Sequence, residues 1–112
     1  MLMFNVKYDQ IKQHFYDNNG PLVYTGFHNK KAPDGQGTIY YRNGNELYSG
    51  YIKMGNLDGF GIYRMPDGIK IYEGNWKQSL PHGKGLLFDE DYGDILYNGS
   101  PPLKNIIPNL SL

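Results

Sequence analysis

A chain that repeats a short glycine-bearing unit at a fixed period is restricted to folds made by stacking one supersecondary unit on the next. Tyr24-Thr25-Gly26, Tyr48-Ser49-Gly50 and Tyr72-Glu73-Gly74 are spaced by 24 residues, and Tyr97-Asn98-Gly99 follows one residue late. Nine residues after each of the first three glycines comes a Gly-x-Gly: Gly35-Gln36-Gly37, Gly59-Phe60-Gly61 and Gly83-Lys84-Gly85. Gly44 and Gly68 lie seven residues further on, and Gly93 lies eight further on. The lateness shared by Gly93 and Tyr97 places one inserted residue within 88–92. An apolar residue precedes each tyrosine: Val23, Leu47, Ile71 and Leu96.

Each unit reads as a β-hairpin. A tyrosine-bearing run, a polar turn and a second alternating run are followed by Arg42-Asn43-Gly44 or Pro66-Asp67-Gly68, and Asn-Gly and Asp-Gly tolerate the positive φ that tight turns demand. Strand alternation puts Tyr72, Gly74 and Trp76 on one face, and Gly59, Gly61, Tyr63 and Met65 on one face of the next strand. Glycines at every second position leave a trough in which rings of neighbouring hairpins can lie flat over the backbone. A role in packing therefore accounts for these glycines.

The pattern resembles the MORN repeat (membrane occupation and recognition nexus), with a consensus close to Y-E-G-x-W-x-x-G-x-x-H-G-x-G. Residues 72–85, Tyr72-Glu73-Gly74-Asn75-Trp76 through His82-Gly83-Lys84-Gly85, match it most fully. In the other units His28 and Ile52 stand in place of the Trp, and Asp34 and Asp58 in place of the His. The resemblance implies a mainly β fold, one elongated and twisted antiparallel sheet built from consecutive hairpins. It covers units at about 23–46, 47–70 and 71–95, with a partial fourth at 96–99.

Both ends supply candidate caps. Residues 1–22 are expected to form an N-terminal cap. Phe4, Tyr8, Ile11 and Phe15 fall at spacings of 4, 3 and 4, which predicts a short helix near 5–17 that stops at Asn18-Asn19-Gly20-Pro21. Residues 100–112 are proline-punctuated and apolar. They are expected to strap along the last hairpin, or to dock into a second copy or a partner.

Composition narrows the chemistry. Eleven Lys plus Arg balance eleven Asp plus Glu, so the basic field that drives phosphate-backbone binding is missing and a nucleic-acid partner is disfavoured. Absent cysteine removes disulfides, thiolate nucleophiles and Cys-based zinc sites, and makes the cytoplasm the expected compartment. No run reaches the eighteen or so apolar residues of a membrane helix, and the N-terminus lacks a signal-peptide core. His14, His28 and His82, expected in a helix, a strand and a turn, lack paired ligand spacing, so no metal or other cofactor is expected. Asp89-Glu90-Asp91-Tyr92-Gly93-Asp94 lacks the closing Glu of an EF-hand, and Gly35-x-Gly37 lacks the third glycine and helix of a dinucleotide site. No catalytic constellation emerges.

Surface remains. A single-layer sheet leaves some rings exposed, and tyrosine and tryptophan dominate interaction hot spots. The expected partner-binding residues are Tyr41, Tyr51, Phe60, Tyr63, Met65 and Trp76, with Arg42 and Arg64 as rim anchors. The reading that follows is a non-enzymatic protein-binding module, an adaptor or small inhibitor acting by occupancy on a protein partner. No attached effector domain is expected beyond the array, which favours that reading. The alternative, implied by the family's name, is peripheral membrane or phosphoinositide recognition through Lys30 and Lys31 with Lys7, Lys12 and Lys53. A neutral chain makes such anionic lipid contact weak. A homodimer through the terminal repeat or the tail is a further expected arrangement.

Overall fold

Nine strands follow one another along the chain: β1 (Phe4–Tyr8), β2 (Gln13–Asp17), β3 (Leu22–His28), β4 (Pro33–Tyr40), β5 (Glu46–Lys53), β6 (Asn56–Arg64), β7 (Lys70–Lys77), β8 (Leu80–Phe88) and β9 (Ile95–Gly99). They were read from a computed structural model that describes residues 4–8, 13–17, 20–29 and 32–99. Each strand pairs antiparallel with the next, so sheet order equals chain order. The seven strands β3 to β9 carry the repeats, as the hairpins β3–β4, β5–β6 and β7–β8 plus the single strand β9. Every pairing is local in sequence, as expected when each unit is stabilised by its nearest neighbours.

The helix expected near 5–17 is not present among the described residues. Phe4–Tyr8 and Gln13–Asp17 run as β1 and β2, with Val6 opposite Phe15 and His14 opposite Thr25. Residues 9–12, within the expected helix, lie outside the described residues, as does the strap expected at 100–112. Two physical reasons favour strands. Val6, Tyr8, Phe15 and Tyr16 suit a pleated strand as well as a helical stripe, and β2 satisfies backbone groups along the edge of β3 that a helix laid across it would leave unpaired.

Two kinds of turn alternate. Inside the hairpins, Met54-Gly55 and Gln78-Ser79 have φ of 51°, 82°, 49° and 63°; two successive positive values are the type I′ signature. Nothing in Met-Gly or Gln-Ser announces such a turn. The backbone is held there by the preceding hairpin: Gly55 N donates to Pro33 O at 2.8 Å, and Ser79 N donates to Leu57 O at 2.9 Å. Between hairpins, the turns at 41–45, 65–69 and 89–94 close through Tyr41 N to Asn45 O, Met65 N to Ile69 O and Asp89 N to Asp94 O. The third is one residue longer, which locates the inserted residue. These turns also stack, because Asn43 and Asn45 both donate side-chain N–H groups to Pro66 O, at 2.9 and 2.8 Å.

The core lies on one face, the inner face. Register aligns Tyr24, Ile39, Tyr48, Tyr63, Tyr72 and Leu87 across six strands, with Gly26, Gly37, Gly50, Gly61, Gly74 and Gly85 in the adjacent row. A Cβ added to Gly37, Gly61 or Gly85 would collide with the ring and hydroxyl of Tyr24, Tyr48 or Tyr72 respectively. Each ring thus lies on a glycine of its own hairpin, and not of a neighbouring hairpin as the sequence reading had it. Pairing with the following strand skips Phe27, Tyr51 and Asn75, and the carbonyls of these bulged residues accept the hydroxyls of Tyr24, Tyr48 and Tyr72 at 2.5, 2.8 and 3.1 Å. A single-layer sheet thereby buries three tyrosines at 1%, 0% and 0% exposure without a second layer. Aromatic area is removed from water, and each polar tip keeps a partner.

Burial, as the leading cause, pushes the hydroxyls of Tyr24, Tyr41, Tyr48 and Tyr72 above the ordinary tyrosine value near 10. The folded state then holds protons that the unfolded chain releases, so this stability is complete below about pH 10 and is lost as pH rises beyond it. Phenolate absorbance from Tyr24, Tyr41, Tyr48 and Tyr72 is expected to appear only above pH 10 and together with loss of β circular dichroism. Reversible titration of all eleven tyrosines near pH 10 with the sheet intact would contradict the seating described here.

Candidate functional site: the outer sheet face

The outer face carries the row Thr25, Thr38, Ser49, Ile62, Glu73 and Leu86. Beside it runs a second row in which Gln36 pairs with Tyr51 and Phe60 pairs with Asn75. Phe27, Tyr51 and Phe60 are 55%, 52% and 50% exposed, although large apolar side chains normally find cover. Their placement follows from the bulges. Phe27 and Tyr51 are the bulged residues whose carbonyls the buried tyrosines engage, so their side chains are directed away from the core. A Cβ on Gly35 or Gly59 would approach the Cβ of Phe27 or Tyr51 to 3.0 or 3.1 Å. In the first two Gly-x-Gly pairs the glycines thus divide the work, the first making room for the bulged aromatic and the second for the buried tyrosine; in the third, where the bulged residue is Asn75, a Cβ on Gly83 would meet nothing within 4 Å.

An open trough of about 420 Å³ lies on this face, lined by Thr25, Phe27, Gln36, Thr38, Tyr40, Glu46 and Ser49 over the backbone of Gly26 and Gly37. The Thr38 and Ser49 hydroxyls stand 3.5 Å apart on its floor, and Glu46 is the charged side chain on its wall. Hydroxyl and amide groups flanked by rings suit non-covalent recognition. Among the described residues no group of three or more His, Cys, Asp or Glu side chains could hold a metal ion. His82 lies on β8 and is exposed, not in the turn where the sequence placed it, and His14 lies on β2 instead of a helix.

The residues expected to bind a partner do not form one patch. Tyr51 and Phe60 share the outer face. Tyr63 belongs to the inner row and packs against the core, and Trp76 is 2% exposed there. The indole meets Tyr72, Tyr48 and Tyr63 edge-to-face at 5.1, 5.7 and 6.2 Å, and its Nε1–H donates to Gly61 O at 3.1 Å. Trp76 is therefore a core residue. Tyr41, Arg42 and Met65 sit in the stacked turns, Met65 beyond the end of β6 where pairing shifts register, so that it leaves the face shared by Gly61 and Tyr63. Tyr41 donates its hydroxyl to Arg64 O at 2.6 Å, and the Arg64 guanidinium donates to Gly68 O at 2.9 Å. Those two side chains brace turns. Phe27 was not among the expected residues, although the signal was present: it occupies the same place in its unit as Tyr51.

No helix among the described residues is long and apolar enough to cross a membrane. Comparison with curated proteins finds no match. The MORN repeat family model matches residues 24–46, 48–70 and 72–93, well over half of the chain and in step with the three hairpins. With three consecutive repeats, each a hairpin whose tyrosine is seated on its own glycine, the chain belongs to the MORN-repeat family.

Proposed function

We propose that the protein is a non-enzymatic binding module that holds a protein partner against its outer sheet face. The observation that carries this reading is the set Phe27, Tyr51 and Phe60, three half-exposed aromatic side chains on one face beside the polar trough. Amphipathic and apolar rings with few rotors supply contact area at low entropic cost, and the trough supplies polar groups that fix orientation. A MORN array is consistent with such a repeat-based module. Lipid recognition is the competing reading, and of the lysines expected to serve it only Lys53 has a described side chain, which is exposed.

The test uses the whole chain as bait in host extract and as a ligand for phosphatidylserine-containing vesicles. Replacing Phe27, Tyr51 and Phe60 together by serine is expected to weaken partner capture at least about thirtyfold, since a buried aromatic anchor contributes about 2 kcal/mol or more. The melting transition is expected to change little, because all three side chains are half exposed. Charge reversal at Lys30 and Lys31 is expected to change mainly salt dependence. If the serine variant captures its partner normally while the lysine variant loses vesicle binding, recognition of anionic lipid replaces this reading.

A further inference from the structure

The outer face follows the 24-residue period in backbone but not in charge. Lys70 stands where the preceding unit has Glu46, Glu73 where it has Ser49, and Phe60 and Ile62 where it has Gln36 and Thr38. On the third hairpin a cation, a carboxylate and a ring from this one chain meet. Lys70 Nζ lies 3.6 Å from a Glu73 carboxylate oxygen and 5.8 Å from the centre of the Phe88 ring. The lysine is thereby held within the sheet by an ion pair and a cation–π contact.

The trough on the first repeat holds two of those three parts. Tyr40, at the place that Phe88 takes two units later, supplies a ring, and Glu46 supplies a carboxylate. No cationic side chain lines the trough, and Glu46 is exposed with no ion-pair partner among the described residues. The Thr38 and Ser49 hydroxyls and the Gln36 amide add acceptors, and Phe27 adds a second ring. An anion entering here would face Glu46 with no cation to offset it. The fitting group is positively charged, rich in donors and flat enough to lie on a ring. A guanidinium has all three properties: a permanent charge, five N–H donors in a planar fork, and faces that stack on aromatic rings. We infer that the trough receives an arginine side chain of the protein partner, its guanidinium on the Glu46 carboxylate and the Thr38 and Ser49 hydroxyls, beside the Phe27 and Tyr40 rings. This rests on the outer-face reading above and names the chemistry of the partner's anchoring residue.

The test titrates the isotope-labelled full chain with N-acetyl-arginine amide, with N-acetyl-citrulline amide as the uncharged counterpart of the same shape and with inorganic phosphate as an anion. The arginine probe is expected to shift the backbone amide signals of Gln36, Thr38, Glu46 and Ser49 saturably, and the citrulline probe to bind about fivefold or more weakly. Glu46→Gln, at an exposed position, is expected to leave the melting transition unchanged and to lower the affinity for the arginine probe to that for citrulline. The inference is overturned by the absence of a saturable shift at the trough, by equal binding of citrulline, by a preference for phosphate, or by an arginine preference that survives Glu46→Gln. Partner capture by the Phe27, Tyr51 and Phe60 serine variant separates the two readings. If the arginine preference fails while that variant still loses its partner, the outer face remains the binding surface and only the arginine is withdrawn. If the variant captures its partner normally, the outer-face reading falls, and the partner's arginine falls with it whatever the probes do.

Discussion

Gly61→Val is expected to destabilise the protein by about 3 kcal/mol or more, a large share of the roughly 5–15 kcal/mol that holds a domain of this size together. A Cβ at position 61 would fall within the Tyr48 ring, whose side chain is fully buried. The added branches have no free space, so the ring must leave its seat. Leaving exposes the aromatic area and separates the hydroxyl from Tyr51 O. Two losses follow from one substitution. The melting temperature should fall by more than about 10 °C, on the usual scale of about 4–8 °C per kcal/mol for a small domain. Gly44→Ala is the matched control, because a Cβ there meets nothing within 4 Å and only the positive φ of 91° opposes it. That variant should lose about 1 kcal/mol. Equal melting shifts for the two variants would remove the basis for the seated tyrosine.

Trp76→Ala is expected to cost about 3–5 kcal/mol and to behave as a folding mutation instead of a binding mutation. Trp76 is the single tryptophan, it is packed among three tyrosine rings, and its indole N–H is bound to Gly61 O. Its emission therefore reports unfolding directly, from a blue-shifted native signal to a red-shifted unfolded one. Trp76→Phe separates the contributions. It retains much of the ring area and removes the donor to Gly61 O, so it should cost about 1–3 kcal/mol in urea titrations followed by circular dichroism. Since Gly61 is both the seat of Tyr48 and the acceptor for Trp76, Gly61→Val and Trp76→Phe should be non-additive, as substitutions sharing a partner are. If Trp76→Ala retains its unfolding midpoint and instead loses partner capture, the inner face and not the outer one is the binding surface.

The period was legible in the residues themselves, and with it the hairpins, the inter-hairpin turns and the place of the one-residue insertion. Each of these is decided locally: glycine where a ring must lie on the backbone, Asn-Gly or Asp-Gly where the chain must turn, tyrosine where a ring must be buried. Strand alternation likewise placed Tyr72, Gly74 and Trp76 on one side. Alternation says that residues share a side; it does not say which side is covered. Trp76 and Phe60 look equally suited to an interface in one dimension. Only the bulges at Phe27, Tyr51 and Asn75, set by how the two strands of each hairpin pair, turn the tyrosine hydroxyls inward and leave Phe27, Tyr51 and Phe60 outside.

The same division explains the turns and the N-terminal stretch. Gln78-Ser79 adopts an unfavourable backbone because the Leu57 carbonyl, more than twenty residues earlier, accepts the Ser79 N–H while the Leu57 N–H donates to Ser79 Oγ in return. Phe4, Tyr8, Ile11 and Phe15 carry a helical spacing, yet β2 forms against β3 because an open strand edge offers a row of hydrogen bonds that no isolated helical stripe can anticipate. The sequence by itself determined the unit and how often it repeats, because those depend on contacts within one hairpin. The tertiary structure decided which face is core, how the strained turns are held and how the array begins, because these depend on what lies on the neighbouring strand.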